Sequence, residues 1–426
     1  MKNASFSGGL KLPTPNESGP MSVESIPLPD RVIIPLKQHL GPACTPVVKK
    51  KDELKNGDLV GESVSSTIRS PLAGVVVDVD KNFSLPSGEK VTAVTIERGE
   101  GTEQTPALTP GLQPMGLILQ SGLNDFSPQA MPLLDKIAMA QEKRIQTLII
   151  NGLDELTQMG ARSALLAHSS EDVLAGTSLL QQLIGAREVI LAVYAQNHKG
   201  LEALAQSDHG FRIAPLTAKH PQHKNQLLVS ALTGQEYPAG SSPEDLGMVI
   251  MSAETAYALA MVVNHGQLWM TKHVTLAGSP FDPPRNLLVP IGTPIKDVLE
   301  HAGVDLSTVG KLILGGPLTG QALSSFDFPV TRETDLIVVQ PQHEVIDYAC
   351  NVCVKCGYCV QACPMRLMPL LISGYSEGGH FDLAAKNDIF SCIECGCCAY
   401  VCPSSIPMVQ WIQFGKAELT AMKEHA

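Results

Sequence analysis

Cys353-Val354-Lys355-Cys356-Gly357-Tyr358-Cys359-Val360-Gln361-Ala362-Cys363-Pro364 and, downstream, Cys392-Ile393-Glu394-Cys395-Gly396-Cys397-Cys398-Ala399-Tyr400-Val401-Cys402-Pro403 are two copies of one pattern, C-x2-C-x2-C-x3-C-P. Three thiolates spaced by two residues wrap one 4Fe–4S cubane when the chain loops around it, and the cysteine before proline leaves on a helix to reach the other cluster. The pattern therefore assigns Cys353, Cys356, Cys359 and Cys402 to one cluster, and Cys363, Cys392, Cys395 and Cys398 to the second. Gly357 and Gly396 sit inside the loops, where the backbone must approach closely. Structural zinc sites use C-x2-4-C pairs, commonly with His, whereas each motif here is a triple followed by Cys-Pro and occurs twice. Two clusters linked by exchanged ligands point to an electron wire rather than a structural role. Cys350 and Cys397 fall outside the register and read as packed thiols.

Ten of the 11 cysteines lie between Cys350 and Cys402, and Cys44 stands alone. No signal peptide is recognisable at the start, so thiols held for metal are expected rather than disulfides. The net charge of −11 argues against a nucleic-acid surface. No transmembrane segment is expected: the most apolar stretch, residues 246–263, carries Glu254, Ser252 and Thr255 and reads as a buried strand running into a helix.

Working outward, 426 residues allow several domains. Residues 1–30 read as an extended arm. Residues 31–100 are short strands punctuated by Gly, Pro, Asp and Asn, with a tight turn at Lys55-Asn56-Gly57-Asp58. Residues 113–265 alternate strands such as Thr147-Leu148-Ile149-Ile150 with helices such as Ser170–Ile184, which predicts a parallel α/β sheet. Residues 270–340 form a smaller α+β unit with a helix at Ile295–His301. The cluster segment, residues 345–405, follows, and residues 406–426 make an amphipathic helix whose Met408, Val409, Trp411, Ile412, Phe414 and Leu419 are expected in the core or at a subunit contact.

Several segments resemble the RnfC family, a component of the Rnf complex, the membrane ferredoxin:NAD oxidoreductase that moves ions. They include Cys392-Ile393-Glu394-Cys395-Gly396, the run from Tyr400 to Pro407, Gly8-Gly9-Leu10, Gln38-His39-Leu40-Gly41, Ser70-Pro71-Leu72-Ala73-Gly74, and Gly315-Gly316-Pro317-Leu318-Thr319-Gly320 with Pro329-Val330-Thr331. The resemblance runs over nearly the whole chain. It implies a multidomain α/β and α+β protein: a β barrel-sandwich hybrid, a Rossmann-like parallel α/β domain similar to the complex I flavoprotein, a β-grasp (SLBB-like) domain and a helical dicluster ferredoxin domain. It also implies a peripheral subunit on the cytoplasmic face of the membrane. Its partners would be other Rnf-like membrane subunits and an iron–sulfur or cytochrome redox protein.

The departures from the family lie where FMN and NADH would bind. The glycine-rich loop is Gln120-Ser121-Gly122-Leu123-Asn124-Asp125-Phe126-Ser127-Pro128-Gln129, with one glycine left. The acidic turn is Asn151-Gly152-Leu153-Asp154-Glu155-Leu156-Thr157, the YPxGxE element is His220-Pro221-Gln222-His223-Lys224-Asn225, and Asn-x-x-Thr is Ser252-Ala253-Glu254-Thr255. Eroded together, these motifs read as a lost flavin and NADH site. No residue is assigned to FMN or NAD, and two 4Fe–4S clusters are the expected cofactors. The alternatives are an NADH- and FMN-dependent enzyme with a divergent site, and a soluble reductase partner of another enzyme. The Ser70–Gly74 tip has no lysine for a lipoyl carrier. Lys49-Lys50-Lys51 is expected as a solvated turn, and His220 and His223 as part of a solvated loop rather than ligands.

Overall fold

The structure, a computed structural model, describes residues 5–12, 22–99, 108, 111–126, 130–154, 160–346 and 349–424. The expected fold class holds. In the N-terminal domain a four-stranded sheet, ordered Arg31–Pro35, Lys90–Arg98, Gly74–Ser84 and Glu53–Leu54, faces a three-stranded one of Thr45–Pro46, Leu59–Glu62 and Thr67–Arg69. Alternation along the strands turns Val32, Ile34, Val60, Ile68, Val76, Val94 and Ile96 inward, all 2% exposed or less. Register breaks after Val76 and Asp80 curl the longest strand over this core. Lys49, Lys50 and Lys51 are exposed, as expected.

The α/β domain carries four parallel strands in the order Arg212–Leu216, Glu188–Tyr194, Thr147–Asn151, Met248–Ser252. Helices cover both faces, so the inner strands read as unbroken apolar runs. The stretch at 246–263 is indeed a strand, Met248–Ser252, entering a helix, Ala253–His265. That helix lies against Ser170–Ile184 so closely that a Cβ on Gly176 would stand 1.7 Å from the Ala256 carbonyl oxygen. Gly176→Ala must push these helices apart. The expected cost is about 1–3 kcal/mol, read as a lower denaturant midpoint with unchanged slope.

The third domain is a six-stranded mixed sheet around the helix Ile295–His301. Its edge strand, Val23–Ser25, comes from the N-terminal arm and pairs in parallel with Asn286, Leu287 and Leu288. The arm is thus partly a strand. No alternation in its own residues announces this, because the pairing is supplied by a sheet edge more than 250 residues away.

The cluster domain consists of short helices around two loops. Its last helix, Met408–Glu424, buries Met408, Val409 and Ile412 against Pro369–Glu377 and leaves Phe414 exposed, so one side of the expected apolar face is core. Among the described residues, no helix is long and apolar enough to cross a membrane.

Candidate iron–sulfur centre and the junction behind it

The two cysteine loops have the same backbone. Lys355 (φ 57°) and Glu394 (φ 54°) are left-handed two residues after the first cysteine of each motif, Gly357 (79°) and Gly396 (78°) four after it. Arg366 (55°) and Ser405 (51°) are left-handed three residues after each Cys-Pro cysteine. Non-glycine residues pay about 1–3 kcal/mol for such a conformation, and it persists where the surroundings demand it. Here it turns amides toward sulfur. Lys355 N donates to Cys353 Sγ at 3.3 Å and Glu394 N to Cys392 Sγ at 3.4 Å. Leu367 N donates to Cys363 Sγ at 3.4 Å.

The thiols of Cys363, Cys392, Cys395 and Cys398 are near enough to act on one another. Burial, then the charges of Cys392, Cys395 and Cys363, pushes Cys398 up to about 12. Burial pushes Cys392 up to about 11 and raises Cys363. Cys395 runs the other way: the Cys397 thiol donates to it and holds it down at about 7. On the other side, Cys359 and Cys402 share an apolar cluster with Met408 and Val409. Asn351 N to Ser404 O (2.9 Å) and Ser404 Oγ to Val352 O (3.0 Å) draw the second Cys-Pro segment toward the start of the first loop. An all-thiol donor set in paired loops lined by inward amides suits 4Fe–4S clusters. Among the described residues, no three His, Cys, Asp or Glu side chains converge as around one ion, whereas a cubane spreads its thiolates over four iron corners.

The two loops differ in exposure. Cys395, Cys397 and Cys398 are buried, whereas Cys356 is exposed among Val352, Val354 and Tyr358, which are 89%, 67% and 53% exposed. We call residues 392–398 the inner loop and 353–359 the outer. Of the two extra cysteines, Cys397 is packed as expected. Cys350 is exposed, contrary to expectation.

Three remote segments cover the inner loop. Gly9 N donates to Ala362 O (2.8 Å), and Leu10 and His220 exchange two backbone hydrogen bonds of 2.9 Å. His220 Nε2 donates to Cys395 O at 2.7 Å. A Cβ on Gly396 would stand 2.5 Å from Leu318 O. His220 and His223 are 3% and 4% exposed, not in a solvated loop: the arm and the inner loop meet His220, and Asn151 Nδ2 donates to the His223 carbonyl at 3.1 Å, contacts that local sequence does not reveal. Gly9→Ala would place a methyl 2.6 Å from His220 O at φ 70°. It is expected to free the arm, seen as faster proteolytic clipping near residue 10 with bound iron unchanged.

At the ends of the parallel strands, where the eroded motifs lie, charged side chains are buried and paired. Gly122 caps the helix Pro114–Ser121, and a Cβ on it would stand 2.0 Å from Thr67 O, so its freedom serves contact with the first domain. Asp125 is fully buried, with its carboxylate 2.5 Å from Lys136 Nζ and 2.6 Å from Thr255 Oγ1. Asp154 accepts from Arg162 N (3.0 Å) and Ser163 Oγ, and burial pushes it up to about 6. Glu254 meets Lys272 Nζ (2.5 Å) and His273 Nδ1 (3.2 Å). Lys272, fully buried, also holds Asp335 at 2.6 Å and stands 4.7 Å from the centre of the Phe126 ring. Residues 127–129 and 155–157 of the eroded motifs lie outside the described residues. Lys136, Lys272 and Asp335 were not singled out from sequence, although a lysine inside the apolar strand Thr271–Ala277 was a usable signal. A cleft of about 350 Å³ remains between this domain and the inner loop, lined by Lys136, Lys224, Asn225, Tyr237, Met365 and Cys392.

Residues 4–101 match the RnfC barrel sandwich hybrid domain, 118–261 the Nuo51 FMN-binding domain, and 352–406 the 4Fe–4S dicluster domain. The chain is 30% identical to a subunit of the proton-translocating ferredoxin:NAD(+) oxidoreductase complex of Clostridium ljungdahlii, over 99% of this chain and 95% of that one. It belongs to the RnfC family. The RnfC relative from the Na(+)-translocating ferredoxin:NAD(+) oxidoreductase complex of Acetobacterium woodii is also 30% identical, over 99% of both chains. That of Rhodobacter capsulatus, from an ion-translocating oxidoreductase complex, is 30% identical over 99% of this chain and 84% of its own. The fold is shared with a chain of an NAD+-reducing [NiFe]-hydrogenase, at 18% identity and TM-score 0.50, over 67% of this chain and 60% of that one. For this RnfC family member, the dicluster match places 4Fe–4S clusters in the C-terminal domain.

Proposed function

We propose that the chain is a peripheral subunit of a membrane-associated, ion-translocating oxidoreductase complex and relays single electrons through two 4Fe–4S clusters. The inner cluster takes Cys363, Cys392, Cys395 and Cys398, and the outer one Cys353, Cys356, Cys359 and Cys402. When bound, each cluster supplies a site for one electron. The protein's part is to hold the sulfurs, aim amides at them and shield the inner loop from water. The observation that carries this reading is the duplicated loop: the same left-handed positions and the same N–H···S bond two residues after the first cysteine, in both copies.

The difference in exposure gives the wire a polarity. The inner loop faces the α/β domain and its cleft, and the outer one faces solvent across an apolar rim. Electrons therefore exchange with an iron–sulfur or cytochrome partner, or another subunit, at the outer loop, on the cytoplasmic face of the membrane. FMN and NADH have no place in this account. Asp125 and Asp154 put buried carboxyl groups into the eroded motifs, which disfavours an anionic phosphate nearby, and the remaining glycines there, Gly122 and Gly152, pack on protein atoms. The reading of the chain as an NADH- and FMN-dependent enzyme draws on the match of 118–261 to an FMN-binding domain and on the lysine-lined cleft beside Cys392.

Electron paramagnetic resonance of the anaerobically reduced chain tests the relay. About two spins per chain, with lines broadened by mutual coupling, are expected of two adjacent reduced clusters. A single uncoupled signal would contradict it.

A further inference from the structure

The third residue of each cysteine motif is left-handed, and the two copies carry opposite charges there: Lys355, exposed, in the outer loop and Glu394, partly buried, in the inner one. The last helix, Met408–Glu424, answers Glu394. Lys416 Nζ donates to Glu394 Oε1 and to the carbonyl oxygen of Cys392, both at 2.6 Å, and Gln413 Nε2 donates to the Glu394 carboxylate at 2.9 Å. Lys416 comes one turn after the buried Ile412, on the face that packs with Ile389 and Cys392. Beside it, Gly415 lies so close to Ser376 Oγ that a Cβ has no room, which fixes the helix in place. The Lys416 side chain is only 19% exposed. Packing thus holds an ammonium group against a loop that already carries a carboxylate.

Reduction adds one negative charge to a cluster. A fixed carboxylate nearby therefore lowers its reduction potential and a fixed ammonium raises it. Salt screens such charges less when they are partly buried. Resting on the inner-cluster ligands proposed above, we infer that Lys416 is a positioning residue: its ammonium, held on Cys392 O and Glu394, cancels the carboxylate and raises the reduction potential of the inner cluster. The outer loop carries a cation at the equivalent position and needs no such partner. On reduction the inner cluster gains one electron from its one-electron redox partner, and no bond is made or broken.

The test is a potentiometric titration of the full chain carrying its clusters, followed by paramagnetic resonance, with iron measured on each sample. Cys356→Ser, in the outer loop, marks which signal belongs to the outer cluster. Lys416→Met is expected to keep the wild-type iron content and to shift the inner midpoint downward, with the outer midpoint unmoved. Glu394→Gln is expected to shift the inner midpoint the opposite way. The double variant should return toward wild type, and Lys416→Arg, which keeps the charge, should stay near it. An unmoved inner midpoint in Lys416→Met would overturn the inference. So would downward shifts in both single variants, which mark a lost clamp rather than a lost charge, or loss of about four iron in Lys416→Met. A wild-type chain without clusters would sink the relay and the inference with it, and the wild-type iron content tells that result apart from the others.

Discussion

Cys398→Ser is expected to remove the inner cluster and leave the outer one. Cys398 is buried among Cys363, Cys392 and Cys395, and no other thiol of the chain stands at its offset in the motif. A serine hydroxyl is a poor substitute for a thiolate, the form that binds iron. Iron should fall from about eight to about four per chain, the content of one 4Fe–4S cluster, and the coupled resonance should collapse to a single uncoupled signal. Electron delivery through the inner loop should be lost. The exposed Cys350 provides the control, since Cys350→Ser should change neither iron nor signal. Unchanged iron in Cys398→Ser would refute the ligand assignment.

The second large effect is expected at Lys272. Its ammonium is fully buried between Glu254 (2.5 Å) and Asp335 (2.6 Å), and Arg162 Nη2 stands 3.8 Å from Asp335. Lys272→Met would remove the central cation and leave the buried Glu254 carboxylate without its lysine, beside the partly exposed Asp335. Breaking a buried pair from one side costs about 3–5 kcal/mol, seen as a large fall in the denaturant midpoint. Adding Glu254→Gln should recover part of it, because the unpaired charge is then gone. The same network sets an acid limit. Burial alone would raise the Glu254 carboxyl, but Lys272 and His273 outweigh it and hold the group down at about 2. A carboxyl lowered on folding stabilises the fold above its ordinary value of 4.5 and loses that contribution as pH falls toward 2. Wild-type stability should therefore decline across this window, and Glu254→Gln should flatten the decline.

These two sites differ in how far sequence reveals them. Cluster ligation is local: three cysteines within seven residues and a fourth before proline fix the chemistry, so the motif reads directly. The helix Ser170–Ile184 and the apolar strands of the parallel sheet are legible for the same reason, since their periodicity is carried by neighbours in the chain. Burial of His220 is different, because it depends on Leu10 and Cys395 meeting it from opposite ends of the chain. The edge strand Val23–Ser25 and the triad Glu254, Lys272 and Asp335 likewise exist only after distant segments pack. Eroded motifs showed that a glycine loop was missing; only the structure shows that buried ion pairs stand in that region.

The inner loop thus sits where the α/β domain, the third domain and the N-terminal arm converge, while the outer loop opens to solvent. On the proposed reading the chain passes electrons through two clusters and binds no flavin. Iron, sulfide and flavin analysis of the anaerobically purified full chain tests that most directly. About eight iron and eight sulfide per chain, with no flavin released on denaturation, is the expected result. Stoichiometric FMN together with bleaching of its absorbance by NADH would contradict it.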